Sequence, residues 1–386
     1  MRALFVIVSL AITGVSMTLD YARPWRDMLA SSHLCRAGLC RYDQVFAAID
    51  AGGMGLGNVS TLLNLDPSNP LVWCTYAEQL SAAGHLPEAA SAFEHAVSLG
   101  PGMSPVLMRS ANFDFAQGRV DHGFAITNRI LRQTDTFDQV LFSYLTHSGL
   151  PVSRLAGVAV PAAPRAARSW FSWLRSAGSD ADLRDLWSWM RQNRLLDQKS
   201  ATDFAWSFWQ RKAFNTAQDV WADWRGPLRG GYLQPQRLAN LCFHDAPDGS
   251  PFDWTLTPAA GVAMKRNDGL EIRFSGTENI GFANVRQFTT VSSGPYRFSA
   301  EISAEDLTTD QGPLFHIFDP VNPRRLNVES SPAKGTLVRS WITVNMSVPA
   351  GTQALQVQIE RRPSQKFDNK IGGALHVYQV SLLPVR

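Results

Sequence analysis

One interval governs the first half of this chain: residues repeat their character every 34 positions. The clearest unit runs from Pro70 to Pro101, PLVWCTYAEQLSAAGHLPEAASAFEHAVSLGP. Trp73, Ala77, Leu80 and Gly84 share one face of a first helix that runs into a turn. Ala89, Phe93 and Ala96 line a second helix, and Pro101 closes the unit. Small residues let two helices approach closely, large ones fill the space beside them, and glycine permits the turn. The interval extends both ways. Pro67 precedes Pro101 by 34 residues, Ala111 follows Ala77 by 34, and Gly118 follows Gly84 by 34. Residues 104–135 are therefore a second unit, with Leu107 in the place of Trp73, and a weaker third begins near Asp138 with Leu141 and Tyr144. A repeat of this length cannot bury its apolar face alone, so the chain must stack its units into a helical solenoid.

These positions resemble the small and large apolar positions of tetratricopeptide (TPR) repeats. That resemblance implies paired helices and a surface that holds a protein partner.

Tryptophan is the unusual feature of the composition. Eight of the twelve fall between Trp170 and Trp224. Ser169-Trp170-Phe171-Ser172-Trp173 recurs 36 residues later as Ala205-Trp206-Ser207-Phe208-Trp209, and Asp185-Leu186-Trp187 recurs 34 later as Asp219-Val220-Trp221. The spacing predicts two more helix pairs, 166–177 with 181–195 and 200–213 with 215–225. Trp170/Trp173, Trp206/Trp209 and Trp221/Trp224 each share a helix face. Such a stripe either grips a ligand or fills a core, and repetition at the structural period favours core.

Around 226–251 helical periodicity stops and turn formers gather. Alternation then takes over, as in Leu270–Phe274, Tyr296–Ile302 and Leu355–Glu360, and further strands are predicted at 252–256, 261–265, 281–289, 313–318, 337–348 and 374–383. Many short strands with turn signals between them predict an antiparallel β-sandwich.

At the other end, Arg2 is followed by an uncharged, mostly apolar run from Ala3 to Leu19. This reads as a secretory signal or an uncleaved single-pass anchor. Either places the rest of the chain across the membrane, in the periplasm of a bacterium. The expected organisation is multidomain, α then β: residues 1–22 as export segment or anchor helix, 23–228 as TPR-like α-solenoid and 229–386 as an antiparallel jelly-roll β-sandwich. In an oxidising compartment Cys35 and Cys40 are close enough to bridge across a short turn.

The order of features in 240–383 resembles the jelly-roll sandwiches of carbohydrate-binding modules, in particular those that follow tetratricopeptide arrays in bacterial exopolysaccharide-associated proteins. The matching residues are Asn240 with Phe243, Phe252-Asp253-Trp254, Tyr296-Arg297-Phe298-Ser299, Trp341, Val348-Pro349, Arg361-Arg362 with Ser364, and Gly373 leading to Val380-Ser381-Leu382. His244 stands where such modules carry Glu, and Tyr378 where they carry Asp; these losses speak against a structural calcium. The resemblance implies a glycan ligand, with Trp254, Tyr296, Phe315, His316 and Arg361 as candidate contacts and Trp341 as a further aromatic. Each aromatic is equally suited to a sandwich core.

Chemistry is otherwise sparse. The sequence holds no H-E-x-x-H or H-x-H, no CxxC, no G-x-S-x-G and no G-x-x-x-x-G-K-[ST]. The glycine run Gly52–Gly57 lacks a preceding strand and does not complete a phosphate cradle. A net charge of +3 with no basic run gives nucleic acid no footing. The expectation is a non-catalytic scaffold without metal or cofactor. It would serve surface polysaccharide assembly or export, with a protein partner on the helices, a polysaccharide on the sandwich, and the inner membrane at residues 3–19 if these are retained. The alternatives are a pure protein-interaction scaffold with the sandwich as structural cap and, third, a polysaccharide-acting enzyme.

Overall fold

The computed structural model describes residues 56–385. The apolar run 3–19 and the pair Cys35/Cys40 lie outside the described residues. Among the described residues no helix is long and apolar enough to cross a membrane. Helices α1 (Leu56–Leu65), α2 (Pro70–Ala82), α3 (Leu86–Leu99), α4 (Ser104–Ala116), α5 (Val120–Gln133), α6 (Asp138–His147), α7 (Val152–Leu155), α8 (Pro164–Ala177), α9 (Asp180–Gln192), α10 (Gln198–Gln210) and α11 (Phe214–Arg225) come first. A single 3₁₀ turn, Gly226–Arg229, follows, and after it every element is a strand. The switch from helix to strand falls at the predicted change of composition.

The described chain divides into two compact units along a different line. One ends at Leu145 and takes back Gly157–Pro161; the other holds Thr146–Ala156 and everything from Ala162 onward. The tryptophan-rich helices thus belong to the same compact unit as the strands.

In the first unit the 34-residue interval is visible as structure. Helices α2 and α3 form the Pro70–Pro101 pair, and α4 and α5 form the next. Ala77 and Ala111 are both buried, as are Ala89, Phe93 and Ala96. Gly84 and Gly118 both adopt left-handed backbone, at φ +84° and +71°, which ends the first helix of each pair where an L side chain would be strained. Trp73 is half-buried, and its indole Nε1 donates to the Pro67 carbonyl at 2.8 Å. Cys74 is buried in the same helix, and burial pushes its thiol up to about 11. Its place is a small core position.

In the second unit α8/α9 and α10/α11 are the two predicted tryptophan-bearing pairs. Ser179 caps α9 in both senses: its hydroxyl accepts from the Asp182 N–H, and the Asp182 carboxylate accepts from the Ser179 N–H. Trp170, Trp187, Trp209 and Trp221 are buried; Trp173, Trp189, Trp206 and Trp224 are half-buried.

Ten strands follow: β1 (Thr255–Leu256), β2 (Val262–Arg266), β3 (Leu270–Ser275), β4 (Phe282–Thr290), β5 (Gly294–Leu307), β6 (Leu314–Phe318), β7 (Asn327–Glu329), β8 (Gly335–Val348), β9 (Ala354–Arg361) and β10 (Gly372–Pro384). They form two five-stranded antiparallel sheets, β1-β4-β9-β6-β7 and β2-β3-β10-β5-β8. The two-sheet sandwich was expected; β7 was not, because three residues are too few to show alternation. Tyr296, Phe298, Ala300, Ile302 and Ala304 of β5 point inward and meet Phe315 and Ile317 of β6, Val357 and Ile359 of β9 and Val377 of β10 in one core. Strand β9 is buried on nearly every residue, and it pairs on both sides, with β4 and with β6.

Helices and sandwich share an aromatic seam. Trp209 packs on Phe288 of β4 at 4.8 Å between ring centroids and on Phe252 at 5.6 Å; Trp221 packs on Tyr232 at 4.8 Å and on Phe252 at 5.7 Å. Trp206 reaches the same Phe288 edge at 6.0 Å, and its Nε1 donates to the Gly249 carbonyl at 2.8 Å. Trp221 Nε1 donates to Asp248 Oδ2 at 2.8 Å. Part of the tryptophan stripe is therefore core, but the core of a helix–sandwich joint and not only of the helical stack.

Candidate functional site

Four of the five sequence-selected contacts are enclosed. Trp254, Tyr296, Phe315 and Arg361 are each 2% exposed or less. The core claims the aromatics: Tyr296 and Phe315 lie on inner strand faces, and Trp254, just before β1, packs on Phe243 with centroids 4.7 Å apart. None offers a ring face to a sugar: of the two roles open to these three aromatics, platform or core, their burial leaves the core. Arg361 points inward too. Its guanidinium donates to the Gln311 carbonyl at 2.9 Å, Asn279 Oδ1 at 2.9 Å, the Asn369 carbonyl at 3.1 Å and the Ile280 carbonyl. It ties three loops together through oxygens, where a buried cation needs every donor satisfied.

His316 differs, because alternation along β6 turns it to the outer face while Phe315 and Ile317 face the core. The register of the sheet then does what sequence cannot show. Gln358 lies opposite Arg286 on one side and His316 on the other, and His316 lies opposite Glu329. Four polar residues from β4, β9, β6 and β7 thus make one line across the sheet. Gln356 and Glu360 flank it along β9, and Asn327 joins from β7.

The line is wired internally. His316 Nδ1 lies 2.6 Å from Glu360 Oε2, and His316 Nε2 lies 2.7 Å from Asn327 Oδ1. The Gln358 amide donates to Glu360 Oε2 at 2.8 Å, and the Gln356 amide donates to Gln358 Oε1 at 2.7 Å. Arg362 donates to Glu360 Oε1 at 2.8 Å and grips Glu329 with both terminal nitrogens. Burial pushes the Glu360 carboxyl up, but hydrogen bonds from Gln358, His316 and Arg362 outweigh it and leave the group below the usual carboxylate range. A cleft of about 470 Å³ opens beside this row, bounded by residues 281–284 of the β4 side and by Gln358 and residues 360–363 of the β9 side, the sequence-selected Arg361 among them. The ladder irregularity between Phe282 and Val285 of β4 borders it, as such irregularities often do at sites. On the other side Phe318 packs on His316 with centroids 4.5 Å apart and the rings tilted by 35°. The row therefore sets polar groups, bonded to one another, and one apolar ring on a single face, with Gln356 and Gln358 themselves buried.

The opposite sheet carries the remaining aromatic. Trp341 on β8 is 54% exposed and lies across from Glu301. Arg339 holds Glu301 at 2.8 and 2.9 Å and lies 3.9 Å over the Tyr378 ring, whose hydroxyl bonds Ser303 at 2.9 Å. Tyr378 and His244 stand where module-like acids were missing in the sequence. Among the described residues no three His, Cys, Asp or Glu come together as a metal-ligand set.

A second enclosed carboxylate lies in the loop before β1. Asp253 is pushed up to about 6 by burial and by neighbouring Asp248, against hydrogen bonds from the Trp254 and Asp248 N–H groups and from Asn240. It faces this loop and not the cleft residues.

No protein-family model and no curated protein matches this sequence. Solved structures align with parts of it. YrrB, a TPR protein with an unusual peptide-binding site, is 12% identical over 43% of this chain and 91% of its own, with a TM-score of 0.23. MamA from Desulfovibrio magneticus RS-1 is 12% identical over 47% of this chain and 90% of its own, at 0.22. A CBM4 structure is 14% identical over 38% of this chain and 99% of its own, at 0.27. At such TM-scores these likenesses carry no argument about function.

Proposed function

We propose that this protein is a non-catalytic binding scaffold of the bacterial periplasm that serves surface polysaccharide assembly or export. Its helical repeats hold a protein partner, and the outer face of the β4-β9-β6-β7 sheet holds a glycan. One observation carries the glycan part: the line Arg286–Gln358–His316–Glu329, flanked by Glu360 and Asn327, which reaches a cleft of about 470 Å³ at Gln358 and Glu360. Sugar hydroxyls donate and accept at once, so a row of amides, imidazole, carboxylate and guanidinium matches them. The non-catalytic reading is supported by the same geometry. Glycoside cleavage asks for one carboxyl raised to hold a proton beside one kept ionised, whereas Arg362 joins Glu360 and Glu329, and Glu360 is held low. The export setting is supported by the Arg2–Leu19 segment, and the polysaccharide setting by the resemblance of residues 240–383 to carbohydrate-binding modules.

The test is retention of the purified protein on immobilised bacterial polysaccharides. Wild type should be retained by at least one. Gln358→Ala with His316→Ala should lose about tenfold or more in affinity, as expected when two buried-edge hydrogen bonds are removed. Folded wild type that ignores every polysaccharide tried sinks the glycan part.

The aromatic seam favours a second reading, in which the sandwich caps the helical stack and contacts no glycan. Failure on polysaccharides, together with capture of a peptide partner by the helices, would select it.

A further inference from the structure

Each sheet of the sandwich ends in two edge strands, and an edge strand presents unpaired backbone N–H and C=O groups. Three of the four edges are protected in ordinary ways. β1 has two residues, β7 has three including Glu329, and β2 has five ending in Lys265-Arg266. The fourth, β8, is 14 residues long and pairs only with β5. Its first part is broken by a register shift around Val338 and Arg339, but from Ser340 to Val348 its pairing with Ile302–Gly294 is continuous. Those nine residues, SWITVNMSV, contain no charge, no proline and no glycine. Among the described residues, no backbone group of this stretch has a partner beyond the β5 ladder. A straight, neutral, β-branched edge of this length is a template for another strand.

The two faces of the stretch say which strand fits. Ile342, Val344, Met346 and Val348 point toward the core, with Ile342 and Val344 only half-buried. Trp341, Thr343, Asn345 and Ser347 point outward and are exposed. An antiparallel copy of the same stretch, turned about a two-fold axis at Val344, sets Ile342 opposite Met346, Thr343 opposite Asn345 and Trp341 opposite Ser347. Apolar meets apolar on the inner side and hydroxyl meets amide on the outer side, twice over by symmetry. No charge opposes a like charge. The surface is self-complementary, as a two-fold interface must be.

We propose that two copies of this chain associate through Ser340–Val348 of β8, joining their β2-β3-β10-β5-β8 sheets into one ten-stranded sheet across a two-fold axis. The pairing covers the half-buried row Ile342–Val344 and removes the long unprotected edge of the sandwich. It leaves the Gln358–His316 row, on the other sheet, open in both copies.

The test is the protein mass of the full 386-residue chain in detergent, measured by light scattering over a range of concentrations. Wild type should be dimeric. Thr343→Glu with Asn345→Glu places carboxylates opposite carboxylates at two symmetry-related pairs and should weaken association about tenfold or more. Thr343→Lys with Asn345→Glu places ammonium opposite carboxylate at the same pairs and should restore the dimer. Both positions are exposed, and Arg297 of β5, whose Nε donates to Asn345 Oδ1 at 3.1 Å, faces a glutamate at 345 in both variants. The two differ only in the sign at residue 343, so the Arg297 contact and any folding defect at residue 345 are common to both. A monomeric wild type, or a double-glutamate variant as dimeric as wild type, overturns the proposal. Dissociation of both variants overturns the register about Val344.

Discussion

Replacing Asp253 by asparagine should change how the stability of the second compact unit depends on pH. The carboxyl is raised from 3.8 to about 6 by burial first and by the charge of Asp248 second. A raised carboxyl binds its proton more tightly in the folded state than in the unfolded chain. Below about pH 4 both states are protonated, and its stabilising contribution is complete. Between about pH 4 and pH 6 the unfolded chain ionises first, and stability falls by about 1.4 kcal/mol per pH unit. Above the folded pKa both states are ionised and the contribution is gone. The window of about two units amounts to roughly 3 kcal/mol. Asparagine does not titrate. It also loses one acceptor: Asp253 Oδ2 takes the Asp248 N–H at 3.1 Å and Oδ1 the Trp254 N–H at 2.7 Å, and an amide nitrogen can accept neither. That lost bond costs about 1–3 kcal/mol at every pH and shifts the whole curve without tilting it. Urea unfolding followed by tryptophan fluorescence across this range should show the difference between wild type and Asp253→Asn shrinking or reversing toward neutral pH, by roughly 3 kcal/mol in all. Two parallel curves would refute the placement of Asp253 as an enclosed carboxyl.

The seam and the repeat make their own predictions. Trp209→Ala removes a buried ring that touches Phe214, Phe252 and Phe288, and should cost about 3–5 kcal/mol by thermal or urea unfolding, with helical and strand signals shifting together. Gly84→Ala and Gly118→Ala should each cost about 1–2 kcal/mol, and by similar amounts. Both glycines have positive φ and open space where a Cβ would stand, so backbone strain alone sets the cost. Markedly unequal losses would show that the two turns are not equivalent.

Much of the architecture was legible because it is periodic. Ala77, Gly84 and their counterparts Ala111 and Gly118 stand 34 residues apart, and a helix pair needs its close approach and its turn at fixed offsets. Strand alternation in β3, β5 and β9 revealed the sandwich for the same reason. Strand β7 escaped because Asn-Val-Glu is too short to be periodic. The site was less legible. Alternation shows that Phe315 and His316 face opposite ways, but not which way is in. In sequence Trp254, Tyr296 and Phe315 therefore suit a sugar platform and a core equally, and the structure makes them core, while Gln358, Glu360 and Asn327 stand unmarked, since single polar residues in a strand carry no sequence signal.

Sequence alone determined the helix pairs, the position at which helices give way to strands, and the residues of β8 that carry neither charge nor proline. These are local matters, decided within a turn or two of the chain by propensity, period and composition. Only the tertiary structure decided that the tryptophan-rich helices share a compact unit with the strands, through Trp209 and Trp221 against Phe252, Phe288 and Tyr232. It alone brought Arg286, Gln358, His316 and Glu329 into one line, and it alone left β8 at the edge of its sheet. Strand order and register are set by which faces can be buried together, and that is a property of segments far apart in the chain.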